Sequence, residues 1–170
     1  KEDGAWSYDP PVKSEADLDR LVSPVWRHDE AKTQERLRQT EEAIGDILPV
    51  RLIARPPLGA NVPHIASDLI GLNALMINLV MEPEMTHRLM AFIRDAVLST
   101  MEQIEAMGVL TENNDQMKHF SESLKTSPED EPVRFKDLWI WTESQEFEQV
   151  GPDMWREFCL EYQRPIIEQF

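Results

Sequence analysis

A chain of 170 residues is long enough for one domain with a core and short for a two-domain arrangement. Its 41% hydrophobic and 29% charged residues exclude a wholly disordered chain. A formal charge of -15, from 17 basic against 32 acidic residues and with no basic stripe, argues against nucleic acid as a partner. One cysteine, Cys159, leaves no internal disulfide and no CxxC metal pair, which fits a reducing, cytoplasmic compartment. No apolar run approaches the roughly 18 residues of a membrane span, and no leader-like stretch precedes Lys1, so no membrane partner is expected. A start without Met suggests a processed product, a cloned piece or a fragment of something longer.

From the N-terminus, Pro10 and Pro11 predict extended chain. Ser14, three residues before Asp17, is a start signature for a short helix ending near Leu21 and stopped by Pro24. Residues 29–44 are rich in strong helix formers with sparse apolar contacts at Ala31, Leu37, Ala43 and Ile44, so a surface helix capped by Gly45 is expected. Leu48, Val50, Leu52 and Ile53 then read as a buried strand ending at Arg55, Pro56 and Pro57. The following loop leads into a helix from Asp68, capped by Ser67, that carries Leu69, Leu72, Leu75, Met76 and Leu79. Pro83 opens a second helix that runs to about Met107. Its apolar residues, among them Leu89, Ile93, Val97 and Ile104, recur at three and four, and Gly108 ends it.

Residues 109–113 predict a second strand with a polar end, and residues 115–136 show no period, which reads as a long loop without regular structure. A third strand is expected over 137–142, with Leu138 and Ile140 on one side and Trp139 and Trp141 on the other. The last helix, from Pro152 to about Gln169, buries part of Trp155, Phe158, Tyr162 and Ile166 and kinks at Pro165. Strands alternating with long helices argue for parallel pairing through right-handed crossovers, an α/β architecture.

Polar side chains massed at strand ends face water or a ligand. Glu143, Ser144, Gln145 and Glu146 follow one expected strand, and Asn113 and Asn114 follow another, a polar mouth built from two strands. His64 stands in a strand-to-helix loop near Arg55 and Asn61, where functional residues concentrate. Glu84 and His87 have the spacing to share a metal on one helix face, but no second such pair exists, and an exposed helical pair is the better reading. Cys159, between Phe158 and Leu160, reads as a buried inert thiol.

Three blocks resemble the uroporphyrinogen decarboxylase-like family, which includes cobalamin-dependent methyltransferases. They are residues 62–109, beginning VPHIASDLIGLNALM; residues 141–167, WTESQEFEQVGPDMWREFCLEYQRPII; and, more loosely, residues 8–24, YDPPVKSEADLDRLVSP. The resemblance implies an α/β fold, a TIM (β/α)8 barrel or a partial barrel of that type, with residues 1–170 as one domain lacking the family's N- and C-terminal parts. It implies a carboxy-lyase or a corrinoid/thiol methyltransferase acting on a small-molecule substrate. The alternative is a non-catalytic, truncated barrel that binds a ligand or a partner chain.

By the same likeness, Ser144 sits where the decarboxylases have a serine that touches a substrate carboxylate. Where they place a tyrosine after Ala-Ser, this chain has Asp68, whose charge would repel the acidic side chains of a porphyrinogen. The expected substrate contacts are thus Ser144, Glu143, Asn113, His64 and Asp68, with no catalytic residue assigned. The family's arginine-bearing segment, catalytic aspartate and late histidine, or the His and Cys zinc ligands of the methyltransferases, would fall outside residues 1–170. No cofactor is identifiable from the residues present; zinc would come with that C-terminal part, and a corrinoid protein is the partner a methyltransferase implies. A partial barrel would expose sheet edges, so self-association or poor stability is expected of it.

Overall fold

The computed structural model describes residues 8–54, 59–114 and 131–170. In chain order its helices are α1 (Glu15–Leu18), α2 (Glu30–Ile44), α3 (Val62–Ile70), α4 (Leu72–Met81), α5 (Pro83–Met107), α6 (Pro152–Trp155) and α7 (Glu161–Ile167). A π-helical segment, Arg156–Leu160, joins the last two, and single 3-10 turns lie at Phe135–Asp137 and Gln145–Phe147. The chain divides into two compact units: Lys1–Ser23, Gly59–Ser99 and Ile140–Gln169 form one, and Pro24–Leu58, Thr100–Trp139 and Phe170 form the other.

The expected α/β barrel, whole or partial, is overturned: 59% of the described residues are helical and none of them lies in a β-strand. The first expected strand is not even buried, with Leu48 58%, Leu52 46% and Ile53 37% exposed. Residues 109–113 are irregular, and the third run enters through the 3-10 turn Phe135–Asp137. The physical reason lies in the hydrogen bonds. A strand exists only when a neighbouring backbone completes its ladder, and here side chains stand in for that neighbour. Thr111 Oγ1 accepts from Ala54 N at 3.1 Å and donates to Ala54 O at 3.4 Å. The Asn113 amide in turn takes both the N–H and the C=O of Trp139, at 2.9 and 2.7 Å. The exposed sheet edges go with the sheet. Of the expected long loop, residues 115–130 lie outside the described residues.

Helix starts follow side-chain chemistry. Ser14 accepts the Asp17 N–H at the head of α1, and Asp29 accepts the Lys32 N–H at 3.0 Å at the head of α2. No residue of α2 is buried, as its sparse apolar pattern predicts. α3 starts six positions earlier than expected, with Pro63 in its first turn; Ser67 is inside it and donates its hydroxyl to His64 O at 2.8 Å. Gly71, at φ 85°, then separates α3 from α4 with a bend of 101°. No single helix among the described residues is long and apolar enough to cross a membrane.

In the first unit, Val62, Ala66, Ile70, Leu75, Leu79, Leu89 and Ile93 bury the inner faces of α3, α4 and the start of α5. Phe147, Phe158, Cys159 and Ile166 are buried in the same unit, from the 3-10 turn Gln145–Phe147 and the last helical run. In the second, Trp26 is the anchor. Its indole N–H donates to Thr100 Oγ1 at 3.1 Å and its backbone N–H to Gln103 Oε1 at 2.9 Å, while Gln103 donates to Pro24 O at 3.2 Å.

Candidate functional site

Two segments of the first unit build the site, the head of α3 and the turn at 143–146, 82 residues apart in sequence. Asn61 precedes α3 but does not cap it; its amide reaches across the gap instead. Asn61 Oδ1 accepts the backbone N–H of Glu143 at 3.0 Å, and its Nδ2 donates to Glu143 Oε1 at 3.4 Å. One turn further on, His64 Nδ1 lies 2.8 Å from Glu146 Oε1. A carboxylate only accepts, so Nδ1 carries the proton of that bond and Nε2 is left to the solvent side. Asp68, on the same helix face at i+4, places Oδ2 3.8 Å from Nε2, beyond hydrogen-bond length.

The electrostatics are lopsided. His64 is about half exposed, at 53% of its side chain, whereas Glu146 keeps only 13%. Oε2 of Glu146 is buried with no hydrogen-bond partner. The hydrogen bond that His64 donates to Glu146 is the main reason its pKa is raised above 6.5; partial burial opposes it, and the charges of Asp68, Glu146 and Glu143 add to it. An imidazole oriented by a carboxylate through one nitrogen and open through the other is the arrangement for accepting and returning a proton.

Behind the pair, Trp155 Nε1 donates to Ser144 Oγ at 3.0 Å. Cys159 is fully buried, and its thiol is pushed up to about 11, chiefly by burial; a hydrogen bond with Ser144 pulls it down and the Glu146 charge adds to the rise. Such a thiol is not a nucleophile at neutral pH. It donates instead to Gln163 Oε1 at 3.1 Å.

Of the five expected substrate contacts, the structure therefore brings together His64, Asp68, Glu143 and, one layer in, Ser144. Asn113 belongs to the second unit, where the Trp139 peptide occupies both ends of its amide. Glu146 stands in the expected polar cluster but outside those five, and Gln163 and Trp155 were not expected at all. No helical or strand spacing announces a pair 82 residues apart. Gln163 does leave a trace, as one polar residue on the face that carries Cys159 and Ile166 at i-4 and i+3.

Of the Glu84 and His87 pair, expected as an exposed helical pair, Glu84 is exposed but His87 is partly buried. Both ring nitrogens of His87 face the last helical run, Nδ1 2.7 Å from the Tyr162 hydroxyl and Nε2 3.1 Å from Glu157, with its ring stacked on Phe158 at 4.4 Å. Arg55 lies outside the described residues. Among the described residues no group of three or more His, Cys, Asp and Glu side chains is placed to hold a metal ion. No family model, curated protein or solved structure matches this chain.

Proposed function

We propose that the chain serves in an enzyme of the uroporphyrinogen decarboxylase-like kind, and that His64, backed by Glu146, moves the proton of its reaction. One juxtaposition carries the reading. Two of the three sequence blocks that bear the resemblance, 62–109 and 141–167, meet in one cluster through His64 with Glu146, and Asn61, the residue just ahead of the first, bonds Glu143 beside it. The proposal concerns chemistry and takes nothing from a barrel.

Both reactions of that kind need one proton handled. In decarboxylation the bond to the carboxylate carbon breaks, carbon dioxide leaves, and the electron pair left on the substrate takes a proton, here from Nε2 of the imidazolium. In methyl transfer to a thiol, the sulfur bonds the methyl carbon as the methyl–cobalt bond of the corrinoid substrate breaks with its electron pair staying on cobalt, and the thiol proton passes to Nε2 of the neutral ring. Asp68 Oδ2 lies 3.8 Å from that nitrogen, and the charges of Asp68, Glu146 and Glu143 together make the surroundings of the His64 ring negative. A porphyrinogen bearing many carboxylates is repelled there and a small neutral thiol is not, which favours methyl transfer. Zinc, the metal that the resemblance would bring, finds no donor set among the described residues, and neither proton step passes through it.

The test is to incubate the intact gene product with methylcobalamin and a small thiol, following loss of the cobalt-bound methyl by visible absorbance, and in parallel with uroporphyrinogen, following carbon dioxide. Methyl transfer that falls on the order of 100-fold in His64→Ala is expected. Carbon dioxide release without methyl transfer reverses the choice of reaction. Absence of both, or indifference to His64→Ala, removes the proton-transfer role.

A further inference from the structure

The cluster has one deeply buried polar member with no role yet. Gln163, on α7, is 4% exposed, and both its N–H groups and its carbonyl oxygen are bonded. Nε2 donates to Ala60 O at 3.0 Å and to Glu143 O at 2.9 Å, while Oε1 accepts from the Cys159 thiol at 3.1 Å. The thiol thereby fixes which end of the amide faces the two carbonyls. Those carbonyls belong to the two segments that make the site. Ala60 leads into Asn61 and α3, and Glu143 leads into the turn that carries Glu146.

We propose that Gln163 is the positioning residue of the His64–Glu146 pair, tying the backbone that enters α3 to the backbone that enters the 143–146 turn. A buried C=O left without a donor is costly, so each carbonyl holds its segment against the same nitrogen. A single side chain with two N–H groups on one atom does this as no hydroxyl or carboxylate does. Asn61 makes a second bridge between the same segments, but from the exposed side. The functional consequence rests on the proton-transfer reading above; the geometric claim does not.

The experiment is an NMR titration of the His64 imidazole in the intact protein and in Gln163→Met, which keeps length and loses both donors. Glu146→Gln gives the reference for a lost pair, and Ile166→Val, one turn away and buried, is the packing control. The His64 midpoint is expected to fall in Gln163→Met to the value of Glu146→Gln, while Ile166→Val keeps the wild-type midpoint. Should Gln163→Met not fold, Gln163→Asn decides, since it keeps the amide but is one methylene too short to reach both carbonyls, and the same fall is expected. An unmoved midpoint in the folded Gln163 variant, or an equal fall in Ile166→Val, overturns the assignment. If the proton-transfer reading alone is wrong, the midpoints still move and only the turnover is unaffected. If both hold, the rate falls roughly 100-fold in Gln163→Met, as for a reacting group displaced by about an ångström.

Discussion

At His64 the chain states its electrostatics in a form that titration can read. The Glu146 hydrogen bond raises the pKa above the usual 6.5, and it does so on a ring that is more than half exposed, where solvent screens the charges of Asp68 and Glu143. The short bond therefore matters more than the acidic surroundings. A raised pKa in the folded state adds stability that is fully present below the unfolded value and is lost as pH rises through the folded one. Removing the carboxylate charge with Glu146→Gln should lower the His64 midpoint and narrow the stability difference between pH extremes. Urea unfolding of both proteins from about pH 5.5 to about pH 9 should show wild type ahead by most at the acid end, with the gap closing as pH rises. Equal midpoints in the two proteins would mean that Asp68 and Glu143, not the bond, set the titration.

Among the elements, the α3–α4 corner depends most on a single residue. Gly71 sits at φ 85° and ψ 140°, a region closed to L side chains, and a Cβ there would stand 3.0 Å from Pro10 Cγ. Gly71→Ala should cost about 1–3 kcal/mol in chemical denaturation. Gly59→Ala, with nothing within 4 Å of its added carbon, should stay within about 0.5 kcal/mol of wild type. A small loss at Gly71 would show that the corner relaxes. Helices with their own punctuation were readable in advance: Asp29 and Gly45 bracket α2, and Pro83 and Gly108 bracket α5. Strands were not, because Leu48, Val50 and Leu52 report a preference that only a neighbouring backbone can turn into structure. Ser67 misled as a cap because the same hydroxyl that caps a helix can also bond back to a carbonyl one turn earlier, as it does to His64 O. In the site, His64 and Glu143 were singled out for a loop and a strand end that the fold does not contain, since His64 lies inside α3 and Glu143 follows irregular chain. Gln163 was not, since its two carbonyl partners lie 103 and 20 residues away.

For the molecule as a whole, the ground on which self-association was expected, exposed sheet edges, is lost with the sheet, and an apolar helix offers a separate ground for contact. α4 is apolar nearly all round, and Leu72, Ile77, Val80 and Met81 are between 47% and 69% exposed. A helix of that composition normally has a cover on every side. At neutral pH the charge of -15 opposes contact between copies, although at about 0.15 M salt that repulsion reaches only about 8 Å. Near the isoelectric point, about pH 4.6, the opposition vanishes and the apolar faces are free to meet. Light scattering should therefore peak close to that pH. Placing charge on the face with Ile77→Glu and Val80→Glu should lower the peak and move it to more acid pH, with little change in the far-ultraviolet circular dichroism at neutral pH. Acid unfolding offers a competing cause, since carboxylates bonded in the native state, such as Asp17 with its lowered pKa, must be protonated as pH falls. The two causes part at the double variant: unfolding leaves its scattering as high as that of wild type, whereas contact through α4 does not.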